Sequence, residues 1–191
     1  MALDLSYGAV QMARENAEAA GVSERFHGLV GDYLSALAGP LDVIVSNPPY
    51  IPTAEIAGLS REVREHDPMR ALDGGTDGLD AYRTLAAQAA DLLALDGHAL
   101  MEIGQGQASD VCNIFGQRGL DLAASADDLS GTVRALWFRR APSTPGIDRP
   151  GMSADDGPRT TGGEIRRKTV DGITVSVGRQ QIRLVATDRS H

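Results

Sequence analysis

Short apolar runs alternate along the chain with longer stretches whose apolar residues recur at helical spacing. The run at residues 42–45, in which three β-branched apolar residues follow Asp42, ends abruptly at Ser46, so it is the clearest predicted strand. Further strands are predicted at residues 2–5, 25–30, 98–103, 122–125 and 133–139.

Three stretches predict amphipathic helices. The first follows Ser6, a favourable N-cap residue, and is followed by Gly21. Its predicted apolar face consists of Ala9, Met12, Ala13, Ala17 and Ala20. The second covers residues 81–95 and the third covers residues 107–118. This alternation predicts an α/β fold with a mostly parallel sheet.

Residues 51–80 have no clear period and are rich in Gly, Pro, Asp and Arg. They predict a long loop with one helical turn near residues 60–65, and loops of this length inside a compact domain usually carry function. Gly104-Gln105-Gly106 predicts a tight turn after the strand at residues 98–103.

The composition changes after Arg140. Residues 1–140 are predicted to form the main domain, and residues 141–163, rich in Pro, Gly, Ser and Thr, a disordered linker. Residues 164–191 form a tail in which Asp171-Gly172 separates two β-rich runs, which predicts a small β-hairpin. Residues 182–186 predict a third strand there.

Charge narrows the choice of partners. The 191 residues carry a formal net charge of -8, and the acidic excess lies in residues 1–140, so nucleic acid is disfavoured as a main partner. The one cysteine excludes an internal disulfide. Neither a membrane-spanning run nor a signal peptide is evident, which predicts a cytoplasmic protein without a membrane partner. The histidines are too dispersed to predict a metal site.

Polar side chains follow four of the predicted strands: Asp4, Asp32, residues 47–50 and Glu102. Ligands of open α/β sheets bind beyond the carboxyl ends of the strands, so these residues are candidates for a binding site. An acid at such a position can accept hydrogen bonds from ribose hydroxyls or an adenine amino group. A solvated carboxylate that caps a helix or turn remains an alternative for Asp4, and it is the favoured interpretation for Asp32 taken alone.

Asn47, Pro48, Pro49 and Tyr50, here called the lip, are the most specific feature. The Asn47 side-chain oxygen and the Pro48 carbonyl can both accept from one NH2 group, while the Tyr50 ring covers the attached planar group. Two prolines leave little conformational freedom to lose on binding. This arrangement suits methylation of an amide or aromatic amine by in-line displacement, which needs alignment rather than a strong base.

Several motifs, taken together, resemble the HemK/PrmC family over about residues 2–140. These motifs are Asp4 in its strand end, Gly31-Asp32, the lip with Ile51-Pro52, Asp73-Gly74-Gly75 with Asp77-Gly78, and Glu102-Ile103-Gly104. The family consists of S-adenosylmethionine-dependent methyltransferases that modify the glutamine of the Gly-Gly-Gln motif of peptide chain release factors. The resemblance implies a Rossmann-like fold, a release factor as partner and S-adenosylmethionine as cofactor.

By this resemblance Asn47 and the Pro48 carbonyl bind the substrate amide, and Pro49 and Tyr50 shape its pocket. Asp4 holds the cofactor ribose, Asp32 lies near the adenine, and Asn47 also counts among the cofactor-binding residues. The family's first strand and glycine-rich cofactor loop precede the position of Asp4. The chain is therefore expected to be truncated at its N-terminus and to lack the strand between those ending at Asp4 and Asn47. Two unpaired sheet edges should result.

Two alternatives remain open on the sequence. An adenine-amino methyltransferase acting on DNA or RNA would use the same lip to hold a flipped base. A non-catalytic fragment is the other alternative, since the cofactor's glycine loop is expected to be absent.

Overall fold

The computed structural model describes residues 1–60 and 68–140, together with the backbone of three strands nearer the C-terminus. The main elements follow in the order β1 (Ala2–Asp4), α1 (Tyr7–Ala19), β2 (Gly28–Val30), β3 (Leu41–Ser46), α2 (Thr53–Ile56), α3 (Met69–Leu72), α4 (Asp80–Leu92), β4 (Leu93–Glu102), α5 (Ala108–Gly116), β5 (Leu120–Asp127) and β6 (Val133–Arg140). The last strands are β7 (Arg166–Val170), β8 (Ile173–Val177) and β9 (Ile182–Ala186).

The strands before residue 141 form two separate sheets. β1 and β2 pair in parallel, and a four-stranded sheet has the order β3-β4-β6-β5. β3 runs parallel to β4, whereas β6 is antiparallel to both of its neighbours. The predicted α/β class is confirmed. Within the part of the chain that the structure describes, no ladder joins β1 to β3, which agrees with the gap expected between them.

Helices α4 and α5 cover one face of the four-stranded sheet and form the core with it. Tyr82, Leu85, Ala86 and Ala89 of α4 are buried, as the predicted helical face requires. The rings of Phe115 on α5 and Phe138 on β6 stack with their centroids 4.2 Å apart. This packing holds β4 rigidly, and the lip lies beside the end of β4.

The opposite face of the sheet has a smaller apolar cluster made of Leu100, Ala124, Ala135 and Trp137. The indole N–H of Trp137 donates to Nδ1 of the buried His98 at 2.9 Å. The bond places the proton of a neutral His98 on Nε2. Trp137 and Phe138 are thus core residues.

The boundary between α4 and β4 differs from the prediction. The helix ends at Leu92, and residues 93–97 belong to β4, where the pairing with β3 shifts register between Leu41 and Val43. The guanidinium of Arg140 donates to the carbonyls of Ala90 and Leu93 at 2.7 Å. The last carbonyls of a helix lack intrahelical partners. The Arg140 side chain, which is distant in sequence, therefore stabilises the end of α4 at Leu92, before the predicted end at residue 95.

Three smaller predictions were also wrong in part. Ser6 does cap α1, but Met12 on its predicted apolar face is 64% exposed. The second strand, predicted at residues 25–30, begins only at Gly28, because Arg25 ends a 3₁₀ turn formed by residues 23–25. The predicted loop 51–80 contains the short helices α2 and α3, and most of its predicted turn at 60–65 lies outside the described residues.

Near the C-terminus, β7 pairs antiparallel with β8, and β8 pairs antiparallel with β9. Residue Val170 lies opposite Ile173 across the predicted Asp-Gly turn. The proposed linker at residues 141–163 lies outside the described residues. The division of the chain into domain, linker and tail stays a prediction.

The turn between β5 and β6 is organised by Asp128. Its carboxylate accepts from the Ser130 hydroxyl at 2.5 Å and from the Thr132 N–H at 3.1 Å, and it pairs with Arg134 at 3.2 Å. These interactions, with the Ser130 hydroxyl first among them, lower the pKa of Asp128 from 3.8 to about 2. The turn fixes the strand that carries Arg134 beside the candidate site.

Asp128→Asn should therefore lower the free energy of unfolding at neutral pH by about 1 kcal/mol. Because the folded-state pKa is depressed, this stabilisation is complete above the ordinary pKa and disappears as the pH falls from about 4 to about 2. Urea unfolding at several pH values should show the difference between parent and variant shrinking over this range. The exposed-site control Asp96→Asn should change little, and a difference independent of pH would contradict the assignment.

Candidate active site

The lip begins where β3 ends. Asn47 is exposed, Pro48 is buried, and Tyr50 is half-buried. Because neither proline has an N–H group, this stretch cannot continue a ladder through backbone donors at residues 48 and 49. The next anchoring donor is Ile51, whose N–H bonds the Leu72 carbonyl at 3.1 Å.

A second segment, residues 73–78, supports the lip from behind and is here called the support loop. The Gly74 N–H donates to the Ile51 carbonyl at 2.9 Å, and Ile51 forms a parallel bridge with Asp73. The Thr53 N–H also donates to the Gly75 carbonyl at 2.9 Å. The backbone that follows the lip is thus held by hydrogen bonds at both Ile51 and Thr53.

The carboxylate of Asp73 organises the support loop itself. Its Oδ1 accepts from the Thr53 hydroxyl at 2.7 Å and from the Gly75 N–H at 3.0 Å. The Thr53 hydrogen bond, followed by that of Gly75, holds the pKa of Asp73 below its ordinary value. Asp73 therefore stays an ionised acceptor at neutral pH, which keeps loop and lip together.

Two glycines allow the support loop to approach the lip backbone. A Cβ at Gly74 would lie 2.9 Å from the Pro49 carbonyl oxygen, and one at Gly78 would lie 2.5 Å from the Tyr50 carbonyl oxygen. Gly78 also has a φ of +75°, which favours glycine. Side chains at these positions would push loop and lip apart.

The end of β4 forms the other border of the lip. The buried Tyr82 hydroxyl donates to the Glu102 carbonyl at 2.8 Å, and Arg134 donates to the Ile103 carbonyl at 3.1 Å. Burial raises the pKa of the Glu102 carboxyl, and the nearby Arg134 charge opposes this. Burial, then the Glu102 charge, raises the pKa of Tyr50. The Tyr50 ring is therefore a neutral wall of the site.

Asp4 and Asp32, the predicted cofactor residues, lie together at the carboxyl edge of the β1–β2 sheet. The Gly31 N–H donates to the Asp4 carbonyl at 3.1 Å, and Asp4 Oδ1 accepts from the Ser6 N–H at 2.7 Å. Asp4 and Asp32 are both exposed. The backbone pairing thus places the strand ends that lead to these two acids side by side, but over the described residues no ladder joins their sheet to the one that carries Asn47.

The segment that follows Asp32 packs against α4, and its Tyr33 lines a cleft together with residues of the support loop. The Leu34 N–H donates to the Gln88 side chain of α4 at 2.8 Å, which fixes the segment after Asp32 against that helix. Tyr33 itself has a φ of +47°, a strained conformation for a non-glycine residue. It lines an open cleft of about 340 Å³ with Asp73, Gly75, Asp80, Ala81 and Thr84.

Reasoning from the sequence did not single out Asp73, which enters there only through the resemblance, or Tyr33, which does not enter at all. An aspartate followed by two glycines is a local signal for a turn, so the support loop could be predicted as a turn. The packing of that turn behind the lip depends on contacts about 20 residues apart in sequence, for which no local signal exists.

Neither a metal site nor a membrane span is evident in the described residues. Among the described side chains, no group of three or more His, Cys, Asp and Glu could hold a metal ion. Over the same part of the chain, no helix combines the length and the apolar character needed to cross a bilayer.

Comparison with known proteins identifies relatives of this chain by sequence. A family described as "RMKL-like, methyltransferase domain" matches residues 1–59. The release factor glutamine methyltransferase of Rhodospirillum rubrum is 51% identical over 145 residues, covering 76% of this chain and 45% of the relative. That of Bradyrhizobium diazoefficiens is 51% identical over 141 residues, covering 73% and 47%. The chain thus spans about half the length of these curated relatives.

Solved structures give the same fold at low sequence identity. A ribosomal protein L11 methylase from Lactobacillus delbrueckii subsp. bulgaricus superposes with a TM-score of 0.53 at 16% identity, covering 73% of this chain and 56% of that one. A methyltransferase from Pyrococcus furiosus has a TM-score of 0.50 at 16% identity, covering 73% and 61%.

The two sheets, the lip at a strand end and these likenesses define the class of S-adenosylmethionine-dependent methyltransferases. Within that class, the chain is similar, over about half of their length, to curated release factor glutamine methyltransferases, in agreement with the resemblance to the HemK/PrmC family.

The close approach at Gly78 predicts an unequal effect of two otherwise similar substitutions. Gly78→Ala combines an unfavourable φ with a clash against the Tyr50 carbonyl, so it should cost at least about 2 kcal/mol of stability. Gly106 has a φ of +83°, but a Cβ added there would have no atom within 4 Å, so Gly106→Ala should cost about 1 kcal/mol. Urea unfolding followed by circular dichroism measures both, and equal costs would contradict the packing of loop on lip.

Proposed function

We propose that this chain transfers a methyl group from S-adenosylmethionine to the side-chain amide nitrogen of the glutamine in the Gly-Gly-Gln motif of a peptide chain release factor. The observation that carries the proposal is the supported lip, in which an exposed amide side chain stands between a strand end and two rigid prolines. The names of the relatives point to the same substrate.

The residues present fit the nucleoside part of the cofactor. Asp4 and Asp32 are acids at one sheet edge, and carboxylates there can accept from ribose hydroxyls and an adenine amino group. The neighbouring cleft lined by Tyr33 has room for a planar ring. In this proposal Asp4 binds the ribose and Asp32 lies beside the adenine. When bound, S-adenosylmethionine supplies an electrophilic methyl group.

The chain's own residues bind and orient the amide. The Asn47 side-chain oxygen and the Pro48 carbonyl accept the two hydrogens of the glutamine NH2 group, and the Tyr50 ring packs against the amide plane. A planar amide delocalises its nitrogen lone pair, so holding both N–H bonds turns that pair toward the incoming methyl group. A new nitrogen–carbon bond forms as the methyl–sulfur bond breaks, and the nitrogen then loses one proton to water. Alignment supplies most of the rate gain.

The alternative substrate, an adenine amino group in DNA or RNA, would suit the same two acceptors. The acidic charge of residues 1–140 disfavours it, since phosphates would be repelled. A release factor is a protein of the translation machinery, so this substrate also implies that the chain acts in the cytoplasm.

Asn47→Ala tests the role of the lip. It removes one of two acceptors for the amide and should lower kcat/KM for methyl transfer to a release factor by about 100-fold. Because Asn47 is exposed, the free energy of unfolding should change little. Transfer of radiolabelled methyl groups from S-adenosylmethionine to the purified release factor measures the rate.

The control Asn16→Ala removes another exposed asparagine, on α1, and should leave the rate unchanged. Release factor with glutamate in place of the Gly-Gly-Gln glutamine should accept no label. The absence of transfer by the parent chain, or full activity of Asn47→Ala, would overturn the proposal.

A further inference from the structure

Gln107, the residue before α5, bonds three separate segments through one side chain. Its Oε1 accepts from the Gly104 N–H at 2.9 Å. Its Nε2 donates to the Tyr50 carbonyl at 2.9 Å and to the Gly78 carbonyl at 3.2 Å. The same amide group therefore joins the end of β4, the last residue of the lip and the support loop.

The surrounding backbone leaves room for this amide only because two neighbours are glycines. A Cβ at Gly104 would lie 2.7 Å from Gln107 Oε1, and one at Gly78 would lie 2.8 Å from Gln107 Nε2. Tyr50 packs into the same space, since its Cδ2 atom would lie 3.0 Å from the Gly104 Cβ. The three residues therefore enclose the side chain of Gln107 against the lip.

A glutamine at this position has a chemical advantage over charged or apolar residues. The three bonds require one acceptor and two donors on a planar group, and only a carboxamide offers this set at neutral pH. At the residue preceding a helix, serine, threonine, aspartate or asparagine are the favoured capping residues. The Gln107 side chain makes no cap bond to α5. Its bonds go to the lip and its supports instead.

We propose that Gln107 is a positioning residue for methyl transfer, which locks the Tyr50 carbonyl and thereby holds the lip in the conformation that binds the substrate amide. This inference rests on the proposed function. Gln107 acts through the backbone of the lip and touches neither substrate nor cofactor. Its loss should loosen residues 47–51 while the packed core stays intact, because α4 and α5 pack on the sheet through other residues.

Amide hydrogen exchange measured by mass spectrometry tests the structural part without requiring activity. In Gln107→Leu, which keeps the size of the side chain but none of its hydrogen bonds, peptides covering residues 46–53 and 74–80 should exchange about 10-fold faster. Peptides from α4 and α5 should be unchanged. Gln105→Leu, an exposed glutamine two residues away, is the matched control and should leave all peptides unchanged.

Steady-state kinetics tests the positioning role. Gln107→Leu should raise KM for the release factor and lower kcat, together reducing kcat/KM by about 30-fold, while KM for S-adenosylmethionine stays near that of the parent. Gln107→Glu keeps the acceptor but loses both donors at neutral pH. Protonation restores one donor, so its activity relative to the parent should rise between about pH 8 and about pH 5. If Gln107 only stabilised the fold, the activity of Gln107→Glu relative to the parent would not change with pH in this way.

The two proposals fail in different ways. If the parent chain transfers no methyl group, the proposed function fails, and the kinetic role of Gln107 fails with it, whereas exchange still reports whether Gln107 holds the lip. If the parent is active and Gln107→Leu keeps the kinetics of the parent, the positioning role alone is wrong. The positioning role would also be overturned if Gln107→Leu exchanged faster across the whole chain, or if exchange at the lip did not become faster.

Discussion

The short bridge between Ile51 and Asp73 is the interaction on which the candidate site depends. Two consecutive prolines end the pairing of β3 with β4 and leave the lip without backbone donors of its own at residues 48 and 49. A rigid lip therefore needs anchors just beyond it. The Ile51 N–H and carbonyl provide them by bonding the Leu72 carbonyl and the Gly74 N–H, on either side of Asp73, which holds the support loop in shape. Methyl transfer that relies on alignment requires this rigidity.

The two sheets divide the work of the site. The four-stranded sheet, packed on α4 and α5, carries the lip at its β3 end and Glu102 at the end of β4, with Arg134 on the neighbouring strand β6. The smaller β1–β2 sheet carries the acids Asp4 and Asp32. The Leu34–Gln88 hydrogen bond and the cleft beside Tyr33 connect them along α4. The residues that support the lip thus all lie on the side of the four-stranded sheet, which is the better packed of the two sheets.

The parts that could be predicted are those with local signals. The β-branched run into two prolines predicted β3 and the lip, and helical spacing predicted the buried face of α4 with Tyr82 and Leu85. The end of α4 could not be predicted, because it is stabilised by Arg140 from 47 residues away. The roles of Asp73 and Gln107 likewise arise from bonds between distant segments. The helical spacing of Met12 predicted burial that no described neighbour of α1 provides.

The central claim is that the lip binds a primary amide, and a titration of the isotope-labelled chain followed by nuclear magnetic resonance tests it directly. The added ligands are a Gly-Gly-Gln peptide of the release factor and the same peptide ending in Gly-Gly-Glu. The glutamine peptide should shift the backbone signals of Asn47, Tyr50 and Ile51, whereas the glutamate peptide, which has no NH2 group to donate, should not. Equal shifts with both peptides, or shifts that avoid these residues, would contradict the account.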